Sequence, residues 1–113
     1  MAVRIGLIGA AGRMGVALAE AIEAQDGVVL AGAIERAGHE RVGQPILPGS
    51  GVLIRDDAAA VAAECDVLID FSAPVALASS IALGRPLVVG TTGLEASHHA
   101  AIDTAAQGQP VLP

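Results

Sequence analysis

Gly9-Ala10-Ala11-Gly12-Arg13-Met14-Gly15 follows directly on the aliphatic run Val3–Ile8 and leads into a stretch with helical spacing. A glycine at a strand end lets the chain turn sharply, and small residues at Ala10, Ala11 and Gly12 let backbone approach a ligand. Gly15 lets the following helix pack closely on the strand. The start of that helix offers unpaired N–H groups and the positive end of its dipole, a setting suited to a pyrophosphate. The pattern is G-x-x-G-x-x-G, a departure from the commoner G-x-G-x-x-G, and tight glycine turns also arise for purely structural reasons. What gives this one weight is its context: a strand before it, a helix after it, and an acid at the end of the next strand.

That acid is Glu35, at the end of the run Val28–Ile34 and twenty positions beyond Gly15. A carboxylate there accepts hydrogen bonds from adenosine ribose hydroxyls, which favours NAD. An arginine beside it, Arg36, pairs with a 2′-phosphate or lies flat on adenine, which accommodates NADP. The bland alternative makes both residues solvated loop charges. Arg13 has the same split, between reaching a phosphate and decorating the first helical turn.

Outward from this turn, two further aliphatic runs have the length of buried strands, Val67–Ile69 and Pro86–Val89. Helices are expected at Met14–Ala24 (apolar face Met14, Leu18, Ala21 and Ile22), Asp56–Ala63 (capped by Asp56 or Asp57), Ala73–Leu83 and Glu95–Ala106. Ala37–Gly51, rich in Gly and Pro, reads as a long surface loop, followed by a brief strand at Val52–Ile54. Val111–Leu112 reads as the opening of another strand. Strands alternating with helices predict an α/β fold: a single Rossmann-type domain over residues 1–113, with a doubly wound parallel sheet and helices on both faces.

Composition agrees. Of 113 residues, 53% are apolar, yet Phe71 is the only aromatic, so the core must be built from Val, Ile, Leu and Ala. Strands buried on both faces read that way. A net charge of −6 speaks against a non-specific hold on nucleic acid or an anionic membrane. One cysteine, Cys65, offers neither an internal disulfide nor a metal clip, so no metal site is expected, and a small buried residue is its simplest reading. With no signal core and no segment of membrane-spanning length, a cytoplasmic protein is the expectation.

Two more segments fall at C-terminal strand ends, where open α/β sheets bind ligands. Asp70-Phe71-Ser72 follows Val67–Ile69, and Gly90-Thr91-Thr92-Gly93 follows Leu87–Val89. The second is a turn rich in backbone and hydroxyl groups, suited to a nicotinamide ribose or carboxamide; helix capping is the alternative role for its threonines. Phe71 borders the cofactor path if its strand neighbours the first, and otherwise fills core.

Taken in order, Ile5–Gly15, Glu35-Arg36, Ile69–Ser72 and Val89–Leu94 closely resemble the front half of the 4-hydroxy-tetrahydrodipicolinate reductases, over essentially the whole chain. The pairing of D-F-[ST] with a later G-T-T-G is far more specific than a glycine fingerprint. The resemblance implies that Gly9, Ala10, Ala11, Gly12, Arg13 and Met14 bind the pyrophosphate of NADH or NADPH. It gives Glu35 the adenosine ribose, Arg36 the NADP phosphate, and Gly90, Thr91 and Thr92 the nicotinamide end, with Phe71 nearby. The implied reaction passes a hydride to the dehydrated cyclic substrate, giving tetrahydrodipicolinate in diaminopimelate and lysine biosynthesis. The family usually works as a homotetramer.

Three departures qualify this. The family's E-x-H-H-x-x-K segment belongs to a substrate and tetramerisation domain that this sequence lacks, so no catalytic residue is assigned and a chain ending at Pro113 has the look of a fragment. Dicarboxylate substrate binding would fall to that domain, and the chain alone is expected to be inactive. His98-His99 mimics the family's histidine pair, but Ala100, Ala101, Ile102 and Asp103 follow with no lysine, so both read as surface helix residues. The helix Ala73–Leu83 is about one turn, roughly four residues, shorter than the resemblance implies. Two other readings stand beside this one: a stand-alone NAD(P)-binding module without catalysis, and another Rossmann oxidoreductase such as a homoserine or aspartate-semialdehyde dehydrogenase.

Overall fold

A computed structural model describes residues 2–71, 80–89 and 111–112. Its elements run β1 (Val3–Ile8), α1 (Arg13–Glu23), β2 (Val28–Ile34), β3 (Ile54–Arg55), α2 (Ala58–Ala62), β4 (Val67–Asp70), β5 (Leu87–Val89) and β6 (Val111–Leu112). The strands form one sheet in the order β3-β2-β1-β4-β5-β6, and every adjacent pair is parallel. The chain therefore builds outward from β1 through β2 to β3, then crosses back to the other side of β1 for β4, β5 and β6. That reversal leaves a crevice beyond the C-terminal ends of β1 and β4, the place where such sheets take ligands.

Aliphatic side chains pack on both faces of the sheet, which is why its strands read as mostly aliphatic runs and not as alternating ones. On one face Leu7, Leu30, Ala33 and Ile54 pack with Ala19 and Ile22 of α1. On the other, Ile8, Ile34, Leu68, Leu87 and Val89 pack with Val61 and Ala62 of α2 and with Cys65. Each fully buried aliphatic side chain stabilises the fold by about 1.5–3 kcal/mol relative to exposure. The register slips by one residue in β2, where Ile5 pairs with Leu30 but Gly6 with Gly32. The extra residue turns both Ala31 and Gly32 toward α2. A Cβ on Gly32 would collide with Val61 Cγ1, and one on Gly6 would lie 2.7 Å from Cys65 Sγ. These two paired glycines let α2 and Cys65 sit directly on the sheet.

Several expectations change at the level of faces and caps. α1 buries Gly15, Ala19 and Ile22, while Ala21 is exposed and Met14 is 53% exposed. The contact of Gly15 with the preceding turn fixes the rotation of the helix, and Met14 consequently faces outward at its start. Asp57 stands at the N-cap of α2 but makes no capping bond, because its carboxylate takes Arg55 Nη2 at 2.7 Å instead. The loop after β2 is not wholly superficial. Ile46 and Leu47 are buried in the α1-side core, held by an antiparallel bridge between Pro45 and Leu53. The strand that follows begins at Ile54, two residues later than the apolar run suggests. Of the expected helix Ala73–Leu83, only Ser80 and Ile81 are described as helical. The expected helix Glu95–Ala106, with His98 and His99, lies outside the described residues, as does the turn Gly90–Gly93. Among the described residues no helix is long and apolar enough to cross a membrane.

Candidate functional site

The site is built where β1 ends. Gly9 has φ +77°, a left-handed conformation that glycine adopts without penalty. It swings the chain so that the N–H groups of Gly9 and Ala10 both donate to Ile34 O of β2, at 3.0 and 3.2 Å. Ala10 is wholly buried, and its methyl group packs in the core beneath the turn. Gly12 N–H closes the turn on Gly9 O at 3.2 Å, and Val16 N–H begins the helical ladder by donating to Gly12 O at 3.0 Å. Gly15 is needed for contact with the turn itself as much as with the strand, because a Cβ there would run into the Ala10 carbonyl.

This bonding decides which backbone donors remain for a ligand. Ala11 N–H is also engaged, donating to Glu35 Oε2 at 3.1 Å. Gly9, Ala10, Ala11 and Gly12 therefore all spend their N–H groups inside the protein. Arg13, Met14 and Gly15 open α1 one turn too early to find a helical acceptor, and none of the described residues accepts from their N–H groups. The N-cap, Gly12, supplies no side-chain cap, and no acidic residue stands in the first turn. The positive end of the helix is thus left open to an anion.

Around this opening stand the other predicted residues. Glu35 extends from the end of β2, anchored by its own N–H to Arg55 O at 2.9 Å, and its Oε1 accepts Arg36 N–H at 3.1 Å. The side chains of Arg13 and Arg36 are exposed. Arg13 is the first residue of α1 and Arg36 follows Glu35, so two arginines come from the elements that meet at the uncapped helix start, in a protein of net charge −6. Phe71 is half-buried, and its N–H donates to Ile8 O at 3.0 Å. Because β4 pairs with β1, with Ile8 opposite Asp70, Phe71 lies on the rim of the crevice beside the glycine turn. Gly90, Thr91 and Thr92, predicted for the same rim, lie outside the described residues, although β5 delivers the chain to it through Val89, paired with Asp70.

Two features go beyond what the sequence pattern states. Asp70 is completely buried, a carboxyl group set inside the sheet at the crevice; only its place at the end of an aliphatic strand hints at this. The Glu35–Ala11 bond joins residues 24 positions apart and depends on β1 and β2 being neighbours. Cys65 lies at the far end of β4 from the crevice, buried, with its thiol donating to Val61 O at 3.3 Å. Burial pushes that thiol above its ordinary range, so it stays protonated and takes no part in the site. Among the described residues no group of three or more His, Cys, Asp or Glu is placed to hold a metal.

Comparison with known proteins agrees in its coverage. The family described as dihydrodipicolinate reductase, N-terminus, matches residues 3–113. A 4-hydroxy-tetrahydrodipicolinate reductase of Geobacter sp. (strain M21) is 40% identical over 119 aligned positions, covering 97% of this chain and 45% of the relative. The chain thus spans less than half the length of that protein. Among solved structures, the dipicolinate-bound dihydrodipicolinate reductase of Paenisporosarcina sp. TG-14 superposes with a TM-score of 0.69 at 19% identity, over all of this chain and 48% of that one. GenD2 from gentamicin A biosynthesis, solved in complex with NAD, gives a TM-score of 0.74 at 20% identity, over 98% of this chain and 34% of that one. These two likenesses bear on the fold alone, which is Rossmann-type.

Proposed function

This chain belongs to the dihydrodipicolinate reductase family, as its N-terminal part, and from that premise we propose that it binds NADH or NADPH for reduction of a small cyclic dicarboxylate. The observation that carries the cofactor assignment is the uncapped start of α1, where the N–H groups of Arg13, Met14 and Gly15 find no acceptor among the described residues. In this reading the pyrophosphate rests on the N–H groups of Arg13, Met14 and Gly15, not on those of Gly9 to Gly12. The residues from Gly9 to Gly12 shape the turn and clear space for the phosphates. Glu35 takes the adenosine ribose and Arg36 the 2′-phosphate of NADPH. Phe71 borders the nicotinamide end, with Gly90, Thr91 and Thr92 completing it.

A bound reduced nicotinamide supplies the hydride; the residues of this chain hold and orient it. The reaction proposed is the family's, conversion of dehydrated 4-hydroxy-tetrahydrodipicolinate to tetrahydrodipicolinate on the diaminopimelate route to lysine, in the cytoplasm. Holding two substrate carboxylates and delivering a proton call for groups positioned on the substrate. We assign these, and the homotetramer contacts, to a further domain of the kind that makes up the other half of its relatives. The name of the dipicolinate-bound relative supports a small dicarboxylate as the ligand.

Titration of the purified chain with NADH and NADPH, followed by fluorescence or calorimetry, tests this. Saturable binding of both is expected. Absence of binding for either would overturn the cofactor assignment for this chain.

A further inference from the structure

Glu35 is assigned above to the adenosine ribose, yet both of its oxygens already hold protein backbone. Oε2 accepts Ala11 N–H and Oε1 accepts Arg36 N–H, each at 3.1 Å. Ala11 sits in the middle of the turn that leads to the open helix start, between Ala10, tied to Ile34 O, and Gly12, tied to Gly9 O. Without Glu35, Ala11 N–H would be the one donor between Gly9 and Gly12 with no protein acceptor among the described residues. A part-buried N–H without an acceptor destabilises its segment, and the turn would be expected to shift to find one.

We propose that Glu35 is a positioning residue, a clamp that sets the glycine turn against β2 before any ligand arrives and fixes Arg36 in the same grip. This rests on the dinucleotide reading and extends it. A carboxylate oxygen has two lone pairs, so each Glu35 oxygen can keep its backbone donor and still accept a ribose hydroxyl. The adenosine end and the phosphate site are then joined through one side chain. The simple picture, in which the acid only greets ribose and repels a 2′-phosphate, makes a neutral residue at position 35 weaken NADH and favour NADPH. The clamp makes the opposite statement for the phosphates: removing the carboxylate weakens every ligand that uses the helix start, including one with no ribose.

Glutamine is the informative replacement, because it can accept from only one of the two backbone N–H groups and does so without charge, so the hold on Ala11 weakens whichever way its amide turns. Aspartate keeps the charge but shortens the reach by one methylene. The experiment measures binding of NADH, NADPH and inorganic pyrophosphate to the full chain and to Glu35→Gln, with hydrogen exchange at the Ala11 amide followed by NMR. The clamp predicts that Glu35→Gln loosens pyrophosphate and both dinucleotides on the order of tenfold, as for loss of one hydrogen bond to a charged acceptor, and speeds Ala11 exchange. If Glu35→Gln does not fold, Glu35→Asp is expected to give the same pattern. Weaker NADH with unchanged pyrophosphate affinity and unchanged Ala11 exchange would overturn the clamp and leave a ribose ligand only. Ala11 exchange is readable without any ligand, so failure of the unaltered chain to bind NADH, which would overturn the dinucleotide reading, is distinguishable from failure of the clamp.

Discussion

Glu35 Oε2 accepts the N–H of Ala11 at 3.1 Å, tying the end of β2 to the middle of the glycine turn that follows β1. The bond exists because β1 and β2 run parallel and, beyond the slip at Gly6, stay paired to their last residues, Ile8 opposite Ile34. Both strands therefore release their loops on the same rim. An acid placed just beyond β2 meets a turn placed just beyond β1, and the sheet alone accounts for the meeting.

Arg36→Ala is expected to weaken NADPH by tenfold or more and leave NADH within about twofold, since a charge-assisted bond to phosphate is worth about 1.5–3 kcal/mol. Calorimetric titration with each cofactor reads this directly. Equal loss for both would remove Arg36 from 2′-phosphate recognition.

Gly15→Ala and Gly12→Ala should part company. A methyl group at Gly15 meets the Ala10 backbone, which cannot rotate aside, whereas at Gly12 it comes no nearer than 3.5 Å to Gly9 O. Overpacking of this kind costs about 1–3 kcal/mol, so urea denaturation should show that loss for Gly15→Ala. Gly12→Ala, in an extended conformation open to any residue, should stay within about 1 kcal/mol. Similar destabilisation by both would contradict the packing described.

Gly32→Ala drives a methyl group into Val61 Cγ1 and should destabilise the chain by about 1–3 kcal/mol. Val61→Ala by itself also costs stability, by leaving a void over the sheet. Combined, the two changes should cost clearly less than their sum, because each relieves the other. Additive losses in a double-mutant cycle would place the helix farther from β2.

Cys65 gives a pH dependence of defined sign. Burial raises the folded-state pKa of its thiol above the ordinary thiol range, which the unfolded chain keeps. The stability this contributes is fully present below the unfolded pKa and is lost as pH rises through the folded one. Urea midpoints compared at pH 7.5 and pH 10 should therefore fall more for the unaltered chain than for Cys65→Ala. Aromatic disulfide reagents should label the folded thiol slowly at pH 8 and rapidly in urea.

Asp57→Ala should cost less than the roughly 1 kcal/mol typical of losing an N-cap side chain. Its carboxylate makes no cap and serves only an exposed pair with Arg55, and such pairs contribute little. A thermal melt that drops by many degrees would show that Asp57 caps α2 in solution.

Much of this was legible from residue order. Val3–Ile8 and Val28–Ile34 appear in the structure with the bounds their aliphatic runs suggest, and Val111–Leu112 pairs with β5 as a true strand. These runs are short and mostly aliphatic, with only Arg4, Gly6 and Gly32 interrupting them, so burial on both faces leaves its mark in composition. The helix face was not legible. Met14, Leu18, Ala21 and Ile22 satisfy a helical period, but so do Gly15, Ala19 and Ile22, and small residues carry no hydrophobic weight in a pattern. Ile46 and Leu47 escaped for the converse reason, since glycine and proline around them mark a loop and say nothing of what the loop buries.

By itself, the sequence determined the fold class and the family, because strands alternating with helices give a parallel sheet covered on both faces and the ordered motifs from the glycine turn to Gly90–Gly93 match one family over residues 3–113. Which N–H groups remain for a phosphate was decided only by the tertiary structure. Ile34 O, Gly9 O and Glu35 Oε2 consume the donors of Gly9 through Gly12, and of these acceptors two come from, or just beyond, a strand that the turn meets only after the sheet has formed. A hydrogen bond depends on distance in space, and neither residue type nor spacing along the chain carries that information.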